Sequence, residues 1–156
     1  MIIEVTGSIV IDMSVRTWCT LPYPGHPKGC PNFGISDTCP PKVKTVSEIF
    51  DLEKQHWFAV VEFNLKNHAD RMKMLHPAWS QKQCTCCLYW QNGVRKQLRK
   101  LCDDFIFNKS FLHYTLIPEA MGVNVFQTAR RYGVTLTKDI TDKLYKIALI
   151  GNKHGG

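Results

Sequence analysis

No apolar run in this chain approaches the ~20 residues needed to cross a bilayer as a helix. The N-terminus, MIIEVTGSIVID, carries Glu4 and alternates like a strand. It lacks the basic stretch and apolar block of a signal peptide. Also missing are Gly-x-Gly-x-x-Gly, the Walker A sequence, Gly-x-Ser-x-Gly and His-Glu-x-x-His, which removes the usual signatures of dinucleotide, nucleoside triphosphate, serine-hydrolase and zinc-protease sites. There is no internal repeat and no low-complexity tract, so neither a solenoid nor a long linker is expected. The paired carboxylates Asp103 and Asp104 read as a solvated helix end, not a catalytic acid and base.

What is present is a soluble composition, 44% hydrophobic and 21% charged over 156 residues, which predicts one folded domain with a real core. The net charge of +7 permits a polyanionic partner without requiring one. Seven cysteines are an odd number for a disulfide framework. Without a secretory leader they point to a reducing, cytoplasmic compartment and to metal, cluster or redox chemistry.

Three of those cysteines sit in WCTLPYPGHPKGCPNFGISDTCPP, residues 18–41, among six prolines and three glycines. Such a segment predicts neither helix nor strand. Cys19, Cys30 and Cys39 are too widely spaced for a C-x2-C zinc knuckle, but thiolates are soft ligands suited to zinc, copper(I) or iron–sulfur units. Proline restricts the loop, and glycine lets it turn its N–H groups toward cluster sulfur. A closed site needs a fourth ligand, and QCTCCLYW offers Cys84, Cys86 and Cys87. On a continuous helix at about 100° per residue, Cys84 and Cys87 share the face of Leu88, Gln91 and Leu98, while Cys86 points away. Cys87, then Cys84, is the expected closing ligand. Cys102 reads as core. His26 reads as an exposed loop histidine, and His76 and His113 have no partner spacing.

The coarse order is strand (2–11), cysteine loop, helix from Thr45 or Ser47 to about Lys54, strand (57–65), short helix (67–75) and a dominant helix (80–107). A helix in NVFQTARRYG ending at Gly133 and a strand (143–150) follow. This predicts a single α+β (or α/β) domain, residues 1–151, with a mixed sheet, a long helix and the Pro/Gly-rich cysteine loop, followed by a flexible tail at 152–156.

Cys-Pro-Asn-Phe-Gly and Thr-Cys-Pro-Pro within residues 30–41, with PEAMGVNVFQTAR at 118–130, resemble the DUF2284 family of small cysteine-rich, predicted metal-binding proteins. The resemblance implies Cys30 and Cys39 as ligands, with Cys19 the preceding member of the group. The family's further cysteine group before the second motif has no counterpart in FLHYTLIPEAMG, so a single site completed from residues 84–87 is the economical reading.

Arg95, Lys96, Arg99 and Lys100, with Arg130 and Arg131, form two basic groups near aromatic residues, a pattern that suits RNA or single-stranded DNA if both helices face the same way. The leading expectation is a module holding one [4Fe–4S] cluster, or zinc, on Cys19, Cys30, Cys39 and Cys87 or Cys84, serving a structural role or a redox partner protein. The rivals are an iron–sulfur enzyme with an open iron acting on RNA or sulfur-containing substrates, and a zinc-stabilised nucleic-acid-binding module.

Overall fold

The computed structural model describes residues 1–22, 24–31, 33–136 and 142–155, with only the backbone at Cys19. Four strands form one sheet: β1 (Ile2–Glu4), β2 (His56–Asn64), β3 (Leu112–Thr115) and β4 (Lys143–Asn152). Their order is β1-β2-β4-β3 and every neighbour is antiparallel. The architecture is α+β, and the sheet is not mixed as expected. Two long runs rich in aromatic and β-branched residues, HWFAVVEFN and KLYKIALIGN, pair along their length from His56–Gly151 to Asn64–Lys143 and make the sheet's centre.

Alternation along these strands gives the sheet two apolar faces. Phe58, Val60, Ile147 and Leu149 pack with Val5, Phe50, Val123 and Val125 on one face. Ala59, Ala148 and Ile150 pack with Leu98 and Cys102 on the other. There, Leu144 joins Leu65, Cys87, Trp90 and Val94.

The described residues form five α-helices: α1 (Val46–Ile49), α2 (Leu65–Leu75), α3 (Gln81–Cys84), α4 (Gln91–Ile106) and α5 (Val125–Arg130). Helices α1 and α5 pack on the first face, α2 and α4 on the second, and α3 packs on α2. Val94, Leu98 and Cys102 recur every fourth residue along α4 and are its buried stripe. Burial of Val94 and Leu98 stabilises by roughly 2 kcal/mol each. Asn124 caps α5, accepting from the Gln127 N–H, and Gly133 beyond it takes a left-handed φ of +73°, as the sequence predicts.

Several expected boundaries move. The first strand is only Ile2–Glu4, because the chain turns at Thr6–Gly7 and rejoins the fold through a bridge between Ile11 and Val123. A 3₁₀ helix, Met13–Thr20, carries Trp18 and Cys19, so the cysteine segment opens on helical backbone. Asp12 caps it by accepting from the Ser14 N–H. Thr45 and Glu48 form the expected capping box, but α1 ends at Ile49 because Phe50 turns extended, enters the core and bridges Lys153. β3 lies in a stretch whose sequence predicts no strand. The expected tail is held at its start. Asn152 belongs to β4 and accepts from the Asp51 N–H, and the His154 N–H donates to the Ile49 carbonyl.

The dominant helix is interrupted. Ser80 and Gln83 form a capping box on α3, which ends at Cys84. The backbone then turns extended at Cys86, passes through a short 3₁₀ turn at Cys87–Tyr89, and restarts as α4 after Trp90. Thr and Cys are weak helix formers, and tertiary contacts take over the bonds a helix would have used. The Cys87 N–H donates to the Pro24 carbonyl (3.3 Å). The Trp90 Nε1–H donates to the Thr85 carbonyl (3.0 Å), while its ring stacks on Phe63 at 5.2 Å. Leu88, expected to face inward, is 77% exposed.

Candidate thiol site

The cysteine loop is a series of tight turns. The Gly29 N–H donates to the His26 carbonyl, Phe33 to Cys30, Cys39 to Ser36, and both Lys42 and Val43 to Cys39. A bond from the Gly34 N–H to the Pro40 carbonyl (2.7 Å) closes the segment holding Cys39. Proline cannot donate, so these carbonyls and the few remaining N–H groups carry the order. Arg16 fastens the loop's end. Its Nε donates to the Ala120 carbonyl (2.8 Å), and its Nη2 donates to the carbonyls of Val43 (2.6 Å) and Pro41 (3.4 Å).

The loop meets the second cysteine group through backbone. Gly25 has φ +93°, a conformation open to glycine, and a β-carbon there would lie 3.0 Å from the Cys87 sulfur and 3.2 Å from that of Cys86. The extended backbone at Cys86 thus sets two neighbouring sulfurs against one turn. This corrects the expectation that Cys86 points away, which rested on an unbroken helix.

Cys30, Cys39, Cys84, Cys86, Cys87 and Cys102 are all free thiols. Cys84 and Cys87 are buried, whereas Cys30, Cys39 and Cys86 are partly exposed. The side chain of Cys19 lies outside the described residues. Among the described residues no three His, Cys, Asp or Glu side chains come close enough to hold one metal ion. Cys30, Cys39, Cys84 and Cys87 therefore do not converge in this conformation. Their turns and the packing of Cys87 against Trp90 and Leu65 decide where each sulfur lies.

Burial pushes the Cys87 thiol up, the neighbouring Cys86 pushes it further, and Arg95 pulls it back down. Cys102, packed with Leu98 and Ile150, is pushed up to about 12 by burial and then by Asp103. It is an inert core thiol, as its spacing suggested.

The two basic groups do not share a surface. α4 packs on one face of the sheet and α5 on the other, which separates Arg95, Lys96, Arg99 and Lys100 from Arg130 and Arg131. Arg131 donates to the Ser8 carbonyl (3.3 Å). Tyr89 is 52% exposed and packs on Trp79, which in turn stacks on His76 at 4.0 Å.

Two features escape the sequence reading. Gly25 looks like one loop glycine among several, and nothing in its neighbourhood signals a contact more than sixty residues away. Lys146 leaves a signal. It breaks the apolar run KLYKIALIG at a position that shares the face of Leu144, Ala148 and Ile150.

Comparison with family models, curated proteins and solved structures returns no match. No helix among the described residues is long and apolar enough to cross a membrane.

Proposed function

We propose that the chain is a cysteine-ligated metal-binding module of a reducing, cytoplasmic compartment. The observation that carries this reading is the seating of the Pro24–Gly25 turn on the sulfurs of Cys86 and Cys87. It joins the loop containing Cys19, Cys30 and Cys39 to a second thiol pair. The donor chemistry fits a thiophilic ion, since every candidate is a thiol and each described one is free. Cys87, Cys86 and the loop cysteines would hold the group, with Cys84 buried beside them in sequence. A [4Fe–4S] cluster is the leading occupant and zinc the alternative. The cluster would supply one-electron transfer, and zinc a structural tie.

Anaerobic purification with iron, sulfide and zinc analysis tests the proposal. Stoichiometric metal that is lost in Cys87→Ser and Cys39→Ser but kept in Cys102→Ser supports it. Absence of any bound or reconstitutable metal in the wild-type protein overturns it. Retention in all loop-cysteine variants overturns the ligand set.

A further inference from the structure

Beside the cysteine loop, α4, β4 and the segment after β3 surround a cleft of about 310 Å³. Arg95 and Arg99 line it from α4, Lys146 from β4 and Thr38 from the loop. Leu116 and Ile117, with the buried Leu98, supply its apolar lining. The two arginines are one helical turn apart and so lie on the same side of α4. Lys146 projects from the sheet face that α4 covers, among Leu144, Ala148 and Ile150.

Three cations thus surround one small space. None of them makes a hydrogen bond or ion pair with the described residues. Ion pairs among the described residues include Lys54–Asp51, Lys100–Asp104 and Lys143–Glu62, none of them in the cleft. One acid, Glu119, acts on Lys146 from nearby; burial raises its pKa, while Lys146 and a backbone hydrogen bond pull it back down. Like charges one turn apart on a helix repel, and a half-buried lysine on an apolar face loses hydration. An entering anion relieves both. Arginine pairs match the oxygen geometry of phosphate, and a lysine adds a point charge. The volume falls near the lower end of small-ligand sites, about 300 Å³.

We propose that this cleft binds a phosphate group carried on a body with an apolar face, as in a nucleotide unit. Arg95, Arg99 and Lys146 hold the phosphate, the Thr38 hydroxyl donates to it while accepting from Ser36 (2.9 Å), and Leu98, Leu116 and Ile117 receive the body. The site uses no thiol, although Thr38 belongs to the same loop as Cys39, so the two readings are tested by different variants.

Titration of the full chain with adenosine 5′-monophosphate, inorganic phosphate, adenosine and a short single-stranded oligonucleotide tests the site. Saturable binding is expected for the nucleotide, tighter than for phosphate or adenosine alone. Arg99→Gln and Lys146→Met should each weaken it about tenfold, while Lys96→Gln, on the same helix outside the cleft, leaves it unchanged. Cys87→Ser should bind the nucleotide as the wild type does. An oligonucleotide that binds tighter, with the same two variants selectively impaired, identifies nucleic acid as the source of the phosphate. Equal weakening by Lys96→Gln, or no saturable binding of nucleotide or oligonucleotide, overturns the proposal.

Discussion

Gly25 and Cys87 lie in direct contact. The Cys87 N–H donates to the Pro24 carbonyl, and a β-carbon on Gly25 would stand 3.1 Å from that nitrogen and 3.0 Å from the sulfur. Through this contact the cysteine loop is seated on the start of the α4 region.

Gly25→Ala should therefore cost more than a backbone penalty. The left-handed conformation alone disfavours a non-glycine residue by about 1–2 kcal/mol, and the added methyl displaces the loop or the thiols. Gly34 has φ +75°, and a methyl added there would meet nothing within 4 Å, so Gly34→Ala bears only the backbone part. Denaturant unfolding of the two variants checks this. Equal loss of stability would show that the Gly25 contact is unimportant.

Alkylation of the folded protein should follow burial. Cys30, Cys39 and Cys86 are expected to react first, whereas Cys84, Cys87 and Cys102 stay protected until the chain opens. Cys102 should be slowest, its thiol held up to about 12. Mass-spectrometric footprinting over time reads the order, and Gly25→Ala should move Cys87 into the fast group. Early labelling of Cys102 in the wild-type protein would contradict the packing of α4 on the sheet.

Stability should fall as the solution is acidified below about pH 6.5. Burial lowers the folded-state pKa of both His56 and His68; the Lys54 carbonyl and Asp51 partly oppose this at His56, and Arg71 reinforces it at His68. Between each lowered value and the ordinary one, the unfolded chain binds a proton that the folded chain does not. Stability thus rises with pH across that window and is lost as pH drops through it. The slope approaches at most about 1.4 kcal/mol per pH unit for each histidine. His56 Nδ1 lies 2.6 Å from the Lys54 carbonyl, which makes it the donor, and buried Nε2 has no hydrogen-bond partner among the described residues. His56→Asn keeps a donor near that carbonyl and removes the titration. Unfolding midpoints at pH 7.5 and 5.5 should converge in this variant relative to wild type, and an unchanged difference would refute the assignment.

Arg16 should resist even a conservative change. Its guanidinium serves carbonyls on the 41–43 segment and at Ala120 together, which one ammonium cannot match in geometry. Arg16→Lys is expected to destabilise by about 1–3 kcal/mol, measured by thermal or denaturant unfolding. It should also speed proteolysis of the cysteine loop. A variant with wild-type stability would show that the loop is anchored elsewhere.

The central strands were legible because HWFAVVEF and KLYKIALI combine β propensity with apolar runs, and α2 and α5 were legible from their breakers and periodicity. β3 was not, since LHYT is short and draws its stability from pairing with β4. The helix break at residues 85–90 was hidden for a related reason. Local periodicity runs through it, and the competing contacts, among them those of Pro24, Thr85 and Phe63, come from the fold. Distances between thiols depend on that break, so the inferred directions of Cys86 and Leu88 failed with it.

By itself the sequence pointed to an α+β or α/β architecture, with thiols gathered in a proline-pinned loop and a second short group, because composition and spacing are local properties. Tertiary structure alone decided that Cys86 and Cys87 both face Gly25, that α4 and α5 carry their charges to opposite sides of the sheet, and that Lys146 joins Arg95 and Arg99. Those placements arise from strand register and helix packing, which bring together residues whose separation along the chain holds no trace of their contact.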